Sequence, residues 1–210
     1  TKDGFSTPRP EVACYAESPD GIHRTRPDLG MFEFNGSKKN NIIWMGYGAH
    51  NFAPFLDENP DCPADERIKA LAGSSRRGLW ACAAADGKKF RKLRDKAGID
   101  NGFFDSLNLA FWDSVSGLYR EFHRIRFYRT PAGELILGGL AARPGFRSIM
   151  TGTSSDFINW SEPVLLKYQE GIPMQHLYTN AVQPYGRAPH LLIGFPTRYL
   201  PDEGQRVEPT

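Results

Sequence analysis

The sequence predicts an all-β fold. Short alternating or aromatic-rich runs recur along the chain, turn residues separate them, and Gly and Pro interrupt all but one helical pattern. In chain order the strand signals lie at residues 12–15, 41–45, 51–55, 79–83, 107–111, 118–123, 134–140, 148–154, 181–185 and 190–195. Val12 and Tyr15, then Ile42, Ile43 and Trp44, are residues that suit a half-buried pleated surface. Within 118–123 a period of two puts Tyr119, Glu121 and His123 on one face, and Arg120, Phe122 and Arg124 on the other. Pro19-Asp20-Gly21, Ala85-Asp86-Gly87 and Pro131-Ala132-Gly133 each reverse the chain within a few residues. The exception is 64–72, which follows Pro63 and predicts a short charged helix.

A repeat refines this fold class. Residues 18–24, 84–90 and 154–160 share one pattern: a small residue, an Asp, a bend, then a long or aromatic side chain. Their aspartates, Asp20, Asp86 and Asp156, are 66 and 70 residues apart. A second element, led by Asn51, Asn108 and Asn180, recurs in the same order at intervals of 57 and 72. Two interleaved repeats imply one repeating unit, and its length fits a four-stranded propeller blade with long loops. In this reading the Asn run is the innermost strand and the Asp turn joins the outer two. Those aspartates read as scaffold, because a carboxylate accepting backbone N–H bonds closes a turn. About three blades are present, whereas a closed ring takes about 4 to 8. The 210 residues therefore read as a single β-propeller domain or a fragment of one, completed by further chain or by association of copies.

Composition excludes several classes. The longest apolar stretches, such as Leu191-Leu192-Ile193 with Gly194-Phe195 after it, are far short of the roughly 20 residues of a membrane helix, so no membrane partner is expected. With 26 Lys+Arg against 24 Asp+Glu, dispersed along the chain, there is no basic stripe for nucleic acid. Cys14, Cys62 and Cys82 are too widely spaced for a zinc knuckle or redox dithiol, and an odd count leaves at most one bridge. The chain opens on Thr1 with no signal-like segment, so either a leader has been removed or the sequence begins inside a longer protein. Phosphate-loop, dinucleotide and Gly-x-Ser-x-Gly motifs are absent, which removes support for nucleotide hydrolysis, hydride transfer and acyl transfer.

Residues 18–23, 50–57, 154–163 and 176–180, with Phe104-Asp105-Ser106-Leu107-Asn108, resemble the five-bladed β-propeller glycoside hydrolases of the arabinanase and invertase type, families 43 and 32, and their bacterial relatives. The resemblance implies a pocket at the ring axis, lined by the starts of the innermost strands, with an Asp, an Asp and a Glu from successive blades. This chain departs from that pattern. His50 and Thr179 stand at two of the equivalent positions, so Asp105 alone matches an inner-strand carboxylate directly.

Glycosidic hydrolysis requires two carboxyl groups of different protonation. Asp105, at the mouth of a strand, is the first candidate, and Glu121, beside His123, is the second, as a general acid whose pKa burial would raise. His50, Asn51, Asn108, His123, Arg147, His176 and Asn180 are the candidates for positioning the sugar. Asp57 and Asp113 are held in reserve as turn residues. Trp44, Tyr47, Phe52, Trp112, Tyr178 and Tyr185 are candidate stacking platforms. No ligand spacing specifies a metal, and no cofactor is expected. The expected partner is a carbohydrate substrate, with a second copy of the chain to complete the ring. The alternative is a non-catalytic glycan-binding or assembly propeller, because the same polar axis binds a saccharide without an acid and base.

Overall fold

A computed structural model describes residues 10–74, 77–137, 145–201 and 206–209, the last four as backbone. The protein is all-β, built of several antiparallel sheets, none of them closed into a barrel. Strands β1 (Val12–Cys14) and β2 (Ile42–Met45) form a ribbon. Next come β3 (Ala53–Leu56), β4 (Ile68–Ser74), β5 (Gly78–Ala84) and β6 (Arg91–Lys92), a four-stranded meander in chain order. A second meander contains β7 (Leu109–Asp113), β8 (Leu118–Arg129), β10 (Phe146–Ser154) and β11 (Val164–Leu165). Its extra strand β9 (Leu135–Leu137) pairs the far end of β8. The remaining strands form two small sheets. Strand β12 (His176–Leu177) pairs β15 (Thr197–Leu200), which pairs β16 (Arg206–Pro209), while β13 (Gln183–Tyr185) pairs β14 (Ala188–Ile193).

Apolar side chains pack each sheet against the next. Ala70, Ala72 and Cys82 of the first meander meet Trp44 and Phe52 from the preceding segment. Leu71, Leu79 and Ala81 meet Phe104, Ala110, Tyr119 and Phe157 of the second. On the opposite face, Phe122 and Ile149 meet Val182 and Leu177. Both faces of β8 are therefore covered, which is why its middle residues are buried without interruption.

The three Asp turns have one geometry. Oδ1 of Asp20 accepts the N–H groups of Ile22 and His23, that of Asp86 those of Lys88 and Lys89, and that of Asp156 those of Ile158 and Asn159, at 2.7–3.0 Å. Partial burial pulls Asp156 upward, but the bonds from Asn159 and Ile158 outweigh it and hold the carboxyl at about 2. The next residue takes positive φ each time: Gly21 at 78°, Gly87 at 68° and Phe157 at 65°. A non-glycine residue there costs about 1 kcal/mol. Phe157 offsets that cost by burying its ring completely against Phe55, Tyr119 and Trp160, 5.3–5.7 Å between centroids.

The helix expected at 64–72 is not formed. A single 3-10 turn spans Ala64–Glu66, and β4 begins at Ile68. Pairing with β3 and β5 overrides the helical propensity of the Ala-rich run, and Lys69 is held inside by Asp57 Oδ2 at 2.8 Å. Burial alone would push the Lys69 ammonium down and the Asp57 carboxyl up. Their contact reverses both shifts, helped at Asp57 by the Tyr119 hydroxyl, which donates at 2.7 Å. Cys14, Cys62 and Cys82 are all free thiols. The Asn runs also differ from expectation: Asn51, Asn108 and Asn180 precede β3, β7 and β13 instead of lying within them. Of the strand signal at 134–140, residues 138–140 lie outside the described residues.

Phe157→Gly relieves the backbone strain and removes the ring. Urea unfolding at neutral pH is expected to show a net loss of about 2 to 3 kcal/mol, the core loss exceeding the backbone gain. An unchanged or increased stability would show that the ring adds no more than its φ costs.

Candidate functional site

The loop before β7 is fixed from both sides. The Phe104 carbonyl accepts Nδ2 of Asn51 at 2.9 Å and Nδ2 of Asn108 at 3.0 Å. The Phe103 N–H donates to the Arg124 carbonyl, Ser106 Oγ donates to the Tyr178 carbonyl at 2.8 Å, and Nδ2 of Asn180 donates to the carbonyls of Leu107 and Phe122. Three asparagines from successive units thus bond backbone oxygen in or beside one loop. Their amide nitrogens hold backbone, and through it they hold Asp105.

Asp105 is the exposed end of this arrangement. Its side chain is 30% exposed and accepts a hydrogen bond from Nη2 of Arg124, which is 3% exposed. Strand pairing places Arg124 on β8 opposite Ile149 of β10, and Arg126 opposite Arg147. The guanidinium of Arg124 lies 5.0 Å from the Tyr178 ring centroid, and that of Arg147 lies 5.8 Å from it. Arg147 also stacks over Tyr199 at 3.8 Å. His176 joins this group: its ring stacks on Phe146 at 4.7 Å, and its Nδ1 accepts the Arg147 N–H at 3.3 Å. Asp105, Arg124, Arg147, His176, Tyr178 and Tyr199 therefore form one neighbourhood of charged groups and rings.

Glu121 and His123 lie together elsewhere on β8. Both are fully buried, with Glu121 Oε2 2.8 Å from His123 Nδ1. The carboxyl fits because its ladder neighbours are small: Ala110 on β7 and Gly152 on β10. The other imidazole nitrogen, Nε2, lies 2.9 Å from the Asn101 carbonyl, an acceptor, so that nitrogen carries a proton and donates. One further proton must then sit between Nδ1 and Glu121. Burial raises the Glu121 pKa, although His123 pulls the other way, which favours the protonated carboxyl as donor to Nδ1. Gly102 closes this site from above: a Cβ there would come within 2.5 Å of His123 Cδ2.

His50 is exposed at the surface, where its Nδ1 meets Glu11 Oε1 at 2.9 Å. The reserve carboxylates are engaged in scaffold. Asp57 bonds Lys69, Tyr119 and the Asn59 N–H, and Asp113 bonds Arg120 and the turn N–H groups of Val115 and Ser116. Among the described residues no three His, Cys, Asp or Glu side chains are grouped as metal ligands. A cavity of about 360 Å³ lies away from the carboxylates, lined by Phe32, Trp44, Tyr47, Trp80, Phe90 and Lys92. It is mostly apolar and holds no carboxyl or imidazole, Lys92 being its charged lining residue, so the polar neighbourhood at Asp105 is the better chemical candidate.

Arg124 and Tyr199 were missed as site residues. The signal for Arg124 was present, since Arg120, Phe122, Arg124 and Arg126 alternate along one face of a strand whose other face carries Glu121. Nothing local marks Tyr199, which reaches the neighbourhood through the pairing of β15 with β12. Comparison with protein-family models, curated proteins and solved structures finds no match.

A carboxyl whose folded pKa is raised adds its full stability below its unfolded value, about 4.3, and loses it as pH climbs through the folded value. Glu121→Gln keeps an N–H donor for His123 Nδ1 without a titrating proton. In urea unfolding it is expected to lie within about 1 kcal/mol of wild type near pH 5, and to gain on wild type as pH rises towards 8. A difference that stays constant across that range would place the proton elsewhere.

Proposed function

We propose that this chain is part of a carbohydrate-acting β-propeller that hydrolyses a glycosidic bond, with Asp105 as the carboxylate that faces the sugar. The observation that carries this reading is Asp105 itself: a partly exposed carboxylate, fixed by a buried arginine, in a loop anchored from both sides and bordered by tyrosines. The two meanders support the blade reading, since each carries its Asp turn between its third and fourth strands. In this reading β1 and β2 belong to a preceding blade, and β12 to β16 to a following one. Leu191, Leu192, Ile193 and Phe195 are exposed on and after β14, and offer a surface on which a sheet from a second copy would pack to continue the ring.

In this scheme Asp105 activates water or attacks the sugar, and Arg147 and His176 position it. The Asn residues act through the loop they hold. Glu121 as general acid requires the packing around it to open, because its side chain is fully buried. That closure favours a second reading, glycan binding without turnover.

Hydrolysis of a glycan panel by wild type and by Asp105→Asn separates the two. The hydrolase reading expects wild type to release sugar, and the variant to bind glycan but turn over at least about 100-fold more slowly. Binding without turnover by both proteins selects the second reading. Neither binding nor turnover by wild type rejects both.

A further inference from the structure

The neighbourhood of Asp105 carries more positive charge than it neutralises. Arg124 gives Nη2 to Asp105 and keeps Nε and Nη1 buried without a hydrogen-bond partner. Arg147 likewise buries Nε without a hydrogen-bond partner, and among the described residues it forms no ion pair. The two guanidiniums both lie close to the Tyr178 ring, and burial together with the charge of Arg124 lowers the pKa of Arg147. One cation thus stands on the Asp105 carboxylate and a second, Arg147, stands near the first. Buried N–H groups lacking an acceptor are costly, and a guanidinium matches an oxyanion better than it matches a hydroxyl. Tyr178 and Tyr199, partly exposed beside these guanidiniums, are rings of the kind suited to the apolar C–H face of a sugar.

We propose that the carbohydrate taken here bears an oxyanion, a uronate carboxylate or a sulfate half-ester, held between Arg124 and Arg147 while Tyr178 and Tyr199 face the sugar ring. The inference rests on the saccharide reading above and names the substrate class. A neutral glycan offers the buried guanidinium nitrogens hydroxyl acceptors without opposing charge. An acidic one supplies paired acceptors that also neutralise the excess cation.

The test is a glycan array with matched pairs, uronates against their methyl esters and sulfated glycans against their desulfated forms, followed by titration of the best ligand into the full chain. Binding confined to acidic members is expected, weakening as salt rises. A preference for the uronate or the sulfate arm then identifies the oxyanion. Arg147→Gln is expected to lower affinity at least about tenfold, and Arg147→Lys, which keeps the charge but loses the planar fork, to fall between the two. Should Arg147→Gln fail to fold, the lysine variant and the methyl esters carry the comparison alone.

Equal binding of charged and neutral partners, binding of neutral members alone, or wild-type affinity in Arg147→Gln would overturn the proposal, as would an array without hits. Acidic binding without hydrolysis leaves this inference standing and removes the catalytic one. Turnover of neutral glycans alone does the reverse.

Discussion

The Phe104 carbonyl oxygen is the constraint on which the rest of the site depends. It accepts two amide N–H groups, one from Asn51 in the approach to β3 and one from Asn108 at the start of β7. A carbonyl has two lone pairs, and here both are used by side chains from the segments that lead into two different sheets. Asn180 repeats the device one unit further on, at Leu107 and Phe122. The loop between these anchors cannot shift without breaking several buried bonds, so Asp105 keeps its place beside Arg124. A functional carboxylate needs that kind of support, because geometry lost in the supporting residues is lost at the reacting atom.

The buried charges serve a different purpose. Lys69 and Asp57 form an ion pair with almost no exposure, tied to β8 through the Tyr119 hydroxyl. Such a pair adds little net stability over an apolar substitute, yet losing one partner strands the other, which makes the packing of the two meanders specific. Glu121 and His123 solve the same problem by sharing one proton. Both clusters lie on the core side of β8, while Arg124 and Arg126 alternate with them along the strand. One strand thus carries a sealed polar core on one side and the cationic side of the candidate site on the other.

Much of this was legible in the sequence. The Asp turns were, because a carboxylate two and three residues before backbone N–H groups leaves a local signature, and most strands were, through their alternation. The approach to β7 was recognisable from Asp105 and Asn108, although Asn108 was expected inside the strand. Residues 64–72 misled because Ala-rich propensity is local and the sheet pairing that defeats it is not. The enclosure of Glu121 was hidden for the same reason, since the residue paired beside its carboxyl, Gly152, lies on another strand. Phe157 in a position that two other units give to glycine becomes intelligible only when its ring is seen in the core.

The most direct measurement is a double-mutant cycle on the shared carbonyl, comparing the unfolding free energies of Asn51→Ala, Asn108→Ala and the combined variant. Either asparagine alone still satisfies the Phe104 oxygen, so the double variant is expected to lose about 1 kcal/mol or more beyond the sum of the singles. Additivity to within about 0.3 kcal/mol would contradict the account, because the two sheets would then not meet at that oxygen.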